Sequence, residues 1–184
     1  MEPPGITRHR RPFLAPLWVM LLAAVAVGGI AWALYRGAST TVVILVRPVE
    51  KTPGTIDDPP VSPEGEQRAE RLAHMFSGPA VAGTIDALYA SDDRGSQQTA
   101  APLAERLHRA PALFPAAQAR AAAARALREH AGGTVLMIVS DPALLQVLAQ
   151  LTGDPPPAAQ EDPDLVYVVS VPSVGHAHLV RFRM

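Results

Sequence analysis

Arg47 stands directly after the apolar run Val42 to Val46, in "TVVILVRPVEK" from Thr41 to Lys51. A guanidinium delivered by a buried strand suits a phosphate or carboxylate, because its planar fork meets two oxygens at once. Yet Pro48 follows it. A prolyl nitrogen in an amide has no basic lone pair and cannot act as a nucleophile. A second set of polar residues lies in "SDDRGSQQT", Ser91 to Thr99, with Arg94 beside Gly95. A third is Ser140-Asp141, after the apolar "TVLMIV". A serine hydroxyl attacks only when a base takes its proton. Asp141 is adjacent, but before Pro142 it reads as a helix N-cap. As a carboxylate it would also repel a bound phosphate, by about 4 kcal/mol at about 4 Å and an effective dielectric near 20.

Each of these residues also has a plainer role. Arg47 is expected to pair with Glu50, Asp92 or Asp93, since one arginine alone is a weak anion site. His176 and His178 have alternate strand spacing, but two ligands without a third are more often surface histidines, so no metal site is expected. The acidic pairs in "DDPP" and "EDPD" read as solvated turns. The chain has no Cys, which excludes disulfides, thiolate metal sites and a Cys nucleophile. A net charge of −1 gives no electrostatic case for nucleic acid. No cofactor is called for.

The elements that must position these residues alternate. "TVVILV" and "TVLMIVS" read as strands buried on both faces, and "IDALYAS" as a third. "SPEGEQRAERLAHMF" reads as a helix with Ser62 as N-cap and Pro63 at its first position. "GSQQTAAPLAERLH" is a helix with Ser96 as a possible cap. "PAAQARAAAARALREHAGG" is an Ala-rich helix closed by Gly132 and Gly133, with Arg120, Arg125 and Arg128 outward. "ALLQVLAQLTG" is another helix. "LVYVVSV" and "HLVRFRM" form a hairpin around "PSVG". Repeated strand–helix units predict an α/β domain, a helix/sheet/helix sandwich with a mostly parallel sheet and antiparallel additions at an edge. Ligands then gather beyond the carboxyl ends of the strands, where the Arg47, Ser91–Ser96 and Ser140 segments should meet.

The N-terminal region has a different character. From Phe13 to Leu34 there is no charge. As a helix this stretch rises about 33 Å, against a hydrocarbon core of about 30 Å. Trp18 lies near one end and Trp32 and Tyr35 near the other, as interfacial rings do. Arg8, Arg10 and Arg11 precede it and Arg36 alone follows closely. The positive-inside rule then puts the N-terminus in the cytoplasm and the rest outside, at an inner membrane facing the periplasm. A cleaved signal peptide is the rival, with Ala31 and Ala33 as a possible cleavage site, but its apolar core is shorter, about 7–15 residues. The expected organisation is a cytoplasmic arm at 1–12, a transmembrane helix through the lipid bilayer at 13–35, a linker at 36–39 and the α/β domain at 40–184.

The ordered segments "ILVRPVEK", "DPPVSPEGEQRAERLA", "LYASDDRGSQQTAAPLAERL", "GGTVLMIVSDPALLQVLAQLTG" and "LVYVVSVPSVGHAHLVRFRM" resemble the histidine phosphatase superfamily, also called phosphoglycerate mutase-like. The likeness is to its small branch without a cap domain, over about residues 40 to 184. It implies a strand ending in Arg-His, whose His takes the phosphoryl group while the Arg clamps oxygens. It also implies a second Arg from Ser-x-x-x-Arg-Thr-x-Gln-Thr and a second His after a Gly. Arg47 matches the first Arg. Pro48 takes the nucleophile's place, Gly95 falls where the second Arg belongs, and Val139 and Ser140 fall where Gly and His belong. Arg94 is one residue early.

Two functions follow. In the first, the chain is a membrane-anchored, catalytically inactive member of this fold, a binding or scaffold module and accessory subunit among other membrane proteins. In the second, it is a periplasmic phosphatase of a phosphorylated sugar or small ester, whose rearranged pocket brings Arg47, Arg94 and Ser140 onto one anion. Residual anion binding would use Arg47 and Arg94.

Overall fold

A computed structural model describes residues 17–37, 39–54, 57–78, 85–153 and 165–183. The chain divides into two units, 1–37 and 38–184.

The first unit holds helix α1, Leu17–Gly37. Its 21 residues rise about 31 Å, and the side chains described in it, those of 18–32, are all exposed. Among the described residues no helix is long and apolar enough to cross a membrane. The span expected at 13–35 is not supported on those residues. A span needs about 20 apolar residues, and residues 13–16 lie outside the described ones, as do the side chains beyond Trp32.

The second unit is built on β1 (Thr40–Val46), α2 (Pro63–Phe76), β2 (Ile85–Ser91), α3 (Arg94–Leu107), β3 (Ala112–Phe114), α4 (Ala119–Glu129), β4 (Thr134–Ile138), α5 (Asp141–Thr152), β5 (Leu165–Pro172) and β6 (His178–Arg183). One six-stranded sheet has the order β3-β2-β4-β1-β5-β6. β3, β2, β4 and β1 run parallel, and β5 and β6 add antiparallel at one edge. This is the expected mostly parallel arrangement. β3 was not anticipated, because three residues beside Pro111 and Pro115 carry no periodicity.

Strand alternation divides the apolar side chains between two cores. Val43, Leu45, Val135, Met137, Tyr89 and Tyr167 join the buried faces of α4 and α5. Ile44, Val46, Leu136, Ile138, Leu88 and Val166 join those of α2 and α3. β1 and β4 are therefore sandwiched, which is why their sequences are apolar on both faces. Arg120, Arg125 and Arg128 do face outward, and Arg125 lies over the Tyr89 ring at 5.7 Å.

Two helix starts differ from expectation. α3 is capped by Asp93 and not by Ser96. The aspartate accepts from the Ser96 N–H at 3.1 Å and the Ser96 hydroxyl at 2.6 Å. Both are short polar residues, and only the backbone path decides which one stands outside the helix. In α5, Ser140 takes the cap position and Asp141 is the first helical residue. The α2 start is as read, with Ser62 accepting from the Gly65 N–H at 3.1 Å.

Gly65 is a close-approach glycine. A Cβ there would run into the Glu50 carbonyl oxygen and the Val61 side chain. This lets the first turn of α2 lie against the backbone that leaves β1. Gly65→Ala is expected to lower stability by about 1–3 kcal/mol, an overpacking cost, with Tm falling by several degrees in thermal denaturation. An unchanged Tm would show that α2 can shift freely.

Candidate functional site

The register of the parallel strands brings three segments to one edge. Val46 is opposite Ile138, and Ala90 is opposite Ile138 on the other side. The chain stays paired one step further, where the Val139 N–H donates to the Val46 carbonyl at 2.9 Å. Arg47, Ser91 and Ser140 thus emerge together.

Buried polar contacts join them. The Ser140 N–H donates to Ser91 Oγ at 3.1 Å, and the two hydroxyls are 3.3 Å apart. The Val49 N–H donates to Thr99 Oγ1 at 3.1 Å, and that hydroxyl donates to the Gly95 carbonyl at 2.7 Å. Gln98 Oε1 accepts from the Val61 N–H at 2.8 Å. The polar residues of "SDDRGSQQT" therefore serve as struts, tying α3 to the loop after β1.

The charges of this region are paired internally. Arg47 reaches across to Asp141, with Nε at 2.6 Å and a terminal nitrogen at 2.5 Å from the same oxygen. This corrects the expected partners Glu50, Asp92 and Asp93. Glu50 is instead taken by Arg68 at 2.5 Å. Burial pushes the Glu50 carboxyl up, but its own backbone hydrogen bond, Arg68 and Arg71 outweigh that and hold it below its ordinary value. The Arg47 side chain is 13% exposed and that of Asp141 65%. With one partner so exposed, the pair contributes about 1 kcal/mol or less.

Lys51 was missed in the sequence. Its Nζ lies 3.1 Å from Asp93 and 4.0 Å from Asp58. A Cβ added to Gly95 would overlap the Lys51 Cε. The lysine stem therefore fills the space over the position where the resemblance places a second arginine. No spacing rule links residues 51 and 95, so only the folded loop could show it. Burial pushes the Asp93 carboxyl up, but hydrogen bonds from Ser96 and the Lys51 ammonium outweigh it and hold it below its ordinary value.

Arg94 is exposed, and its backbone N–H is held by both Asp58 oxygens at 2.9 and 3.0 Å. Arg47, Arg94 and Ser140 thus have different neighbours: Asp141, Asp58 through the backbone, and Ser91. Pro48 is half-buried beside Arg47. Among the described residues no group of three or more His, Cys, Asp or Glu is placed to hold a metal ion. His176 and His178 lie on the β5–β6 turn and the start of β6, and both are exposed.

No protein-family model matches the sequence, and no curated protein matches it. Solved structures do. The protein histidine phosphatase SixA complexed with tungstate is 17% identical with a TM-score of 0.61, over 77% of this chain and 96% of its own. A mycobacterial glucosyl-3-phosphoglycerate phosphatase is 13% identical with a TM-score of 0.65, over 78% and 99%. A phosphoserine phosphatase from Entamoeba histolytica, in complex with 3-phosphoglyceric acid, is 15% identical with a TM-score of 0.57, over 78% and 97%.

The Asp93 contacts set a pH dependence. A carboxyl held low in the folded state stabilises above about pH 4, the unfolded value, and that stability is lost as pH falls through the lower folded value. Asp93→Asn keeps a cap but removes the charge. It is expected to be less stable at neutral pH and to lose less on acidification below about pH 4. Acid unfolding followed by far-UV circular dichroism checks this, and identical acid profiles would contradict it.

Proposed function

Because the second unit has the fold of the histidine phosphatase superfamily, we propose that its function turns on what the pocket has lost: a membrane-anchored, non-catalytic binding module, an accessory subunit among other membrane proteins. What carries this reading is Pro48, which stands where the resemblance implies the nucleophile, beside an Arg47 engaged by Asp141. A phosphoryl group needs an in-line nucleophile and cations on its equatorial oxygens. Pro48 has no nucleophilic side-chain atom to offer. The hydroxyl of Ser140 meets Ser91, a poor base.

Anchoring is supported by the uncharged stretch from Phe13 to Leu34, with Arg8, Arg10 and Arg11 before it. The exposed apolar side chains of α1, Trp18, Leu21, Val25 and Trp32 among them, also support it. In this reading the stretch 13–35, of which α1 covers only the described part, crosses an inner membrane and the α/β domain lies in the periplasm.

A second reading is a phosphatase of a phosphorylated sugar or small ester. The names of the structural neighbours favour it, since they are phosphatases. The contacts around Arg47, Arg94 and Ser140 favour the first.

Two experiments test the proposal. Full-length protein in detergent is expected to show no turnover of p-nitrophenyl phosphate or sugar phosphates above buffer. Turnover that disappears in Arg47→Ala would establish the phosphatase instead. In membranes, the protein is expected to resist alkaline carbonate extraction, and paired Leu21→Arg and Val25→Arg substitutions to release it. Release of the unaltered protein would refute the anchor.

A further inference from the structure

We infer that the end of the α/β domain where β1 begins is a lipid-docking face. It settles on the phospholipid headgroups of the bilayer that anchors the chain, with the β5–β6 turn as its point of contact. This deepens the anchored reading above and rests on it.

The chain's own connections pick out this end. In the anchored reading the linker 36–39 joins the bilayer to β1, which starts at Thr40, and such a linker reaches about 14 Å at most. Ser39 is held from two sides. Its carbonyl accepts from the Ser173 N–H of the β5–β6 turn at 3.1 Å. Gly132, in the loop between α4 and β4, lies so close that a Cβ there would meet the Ser39 side chain. Thr40 is opposite Pro172, the last residue of β5. The turn and the α4–β4 loop therefore stand beside the point where the linker enters the domain.

The side chains at this end suit a headgroup layer. Val174, in the turn, is 84% exposed. Its apolar surface leaves water if the turn meets the boundary of the acyl region. The helices that join parallel strands run back from the carboxyl ends of those strands, so their last turns lie here too. His74 is in the last turn of α2, and His108 and His130 cap the C-termini of α3 and α4. His176 lies in the β5–β6 turn and His178 opens β6. These are all the histidines of the domain. A histidine ring carries at least one N–H whatever its charge, a donor for phosphate and ester oxygens. Its apolar body and polar tip also fit an interface.

Docking by this end leaves the opposite end of the strands free. β1 has 7 residues, a length of about 23 Å. Arg47, Ser91 and Ser140 then face the aqueous side at about that distance from the lipid, open to a partner protein.

The test uses the full-length protein in liposomes of phosphatidylcholine and phosphatidylglycerol that carry a nitroxide on the headgroup. The chain has no Cys, so Ser173→Cys and Asp92→Cys each give a single site for a fluorophore. Asp92 follows β2 at the far end and is exposed. Quenching by the nitroxide is expected to be about threefold or more stronger at 173 than at 92, because it is short-ranged and the two ends stand about 20 Å apart. Val174→Glu, added to the Ser173→Cys protein, is expected to reduce that quenching, with the far-UV circular dichroism unchanged. Equal quenching at the two sites would overturn the inference. So would quenching at 173 that survives Val174→Glu undiminished, since the linker alone would then account for it. In either case a protein that still resists carbonate extraction keeps its anchor. Release by carbonate refutes the anchor and the docking with it, so the two failures are distinguishable.

Discussion

The shared level of three parallel strand ends is the constraint on which everything else depends. β1 and β2 both pair with β4 in parallel, and all three finish within a residue of one another. Parallel strands must be joined by crossovers, so their carboxyl ends collect loops from distant parts of the chain. Arg47 and Asp141 are neighbours only for that reason. The same is true of Ser91 and Ser140, whose contact is buried and backbone-mediated.

That convergence would ordinarily build an anion site. Here the positive groups are met by carboxylates from the same loops. Arg47 has Asp141, Lys51 has Asp93 with Asp58 nearby, and Arg68 has Glu50. Around them Thr99 and Gln98 each fix backbone, and the Ser96 hydroxyl holds the Asp93 carboxylate. The residues that act as struts here are different from the ones that carry the charges. The structural neighbours share the architecture at 13–17% identity.

Much of the domain was legible in advance because its signals are local. Apolar runs between polar loops marked β1, β2 and β4. Ser62 followed by Pro63 marked the start of α2, and its cap is as read. The segments bearing Arg47, Ser91 and Ser140 were expected at one sheet edge and are there. Short or competing signals fared worse. β3 has three residues and no pattern. Asp93 against Ser96, and Ser140 against Asp141, are choices between equally suitable cap residues one to three positions apart.

The sequence by itself determined the order of the helices and of every strand but β3, the two buried central strands, and the presence of Pro48, Gly95 and Ser140. Those follow from side-chain period and residue type, which are properties of neighbours in the chain. Only the tertiary structure decided that Arg47 faces Asp141 rather than Glu50, Asp92 or Asp93, and that the Lys51 stem lies over Gly95. Ion pairs form between whichever charges the fold brings within a few ångströms. For residues 94 positions apart, nothing local in the chain carries that information.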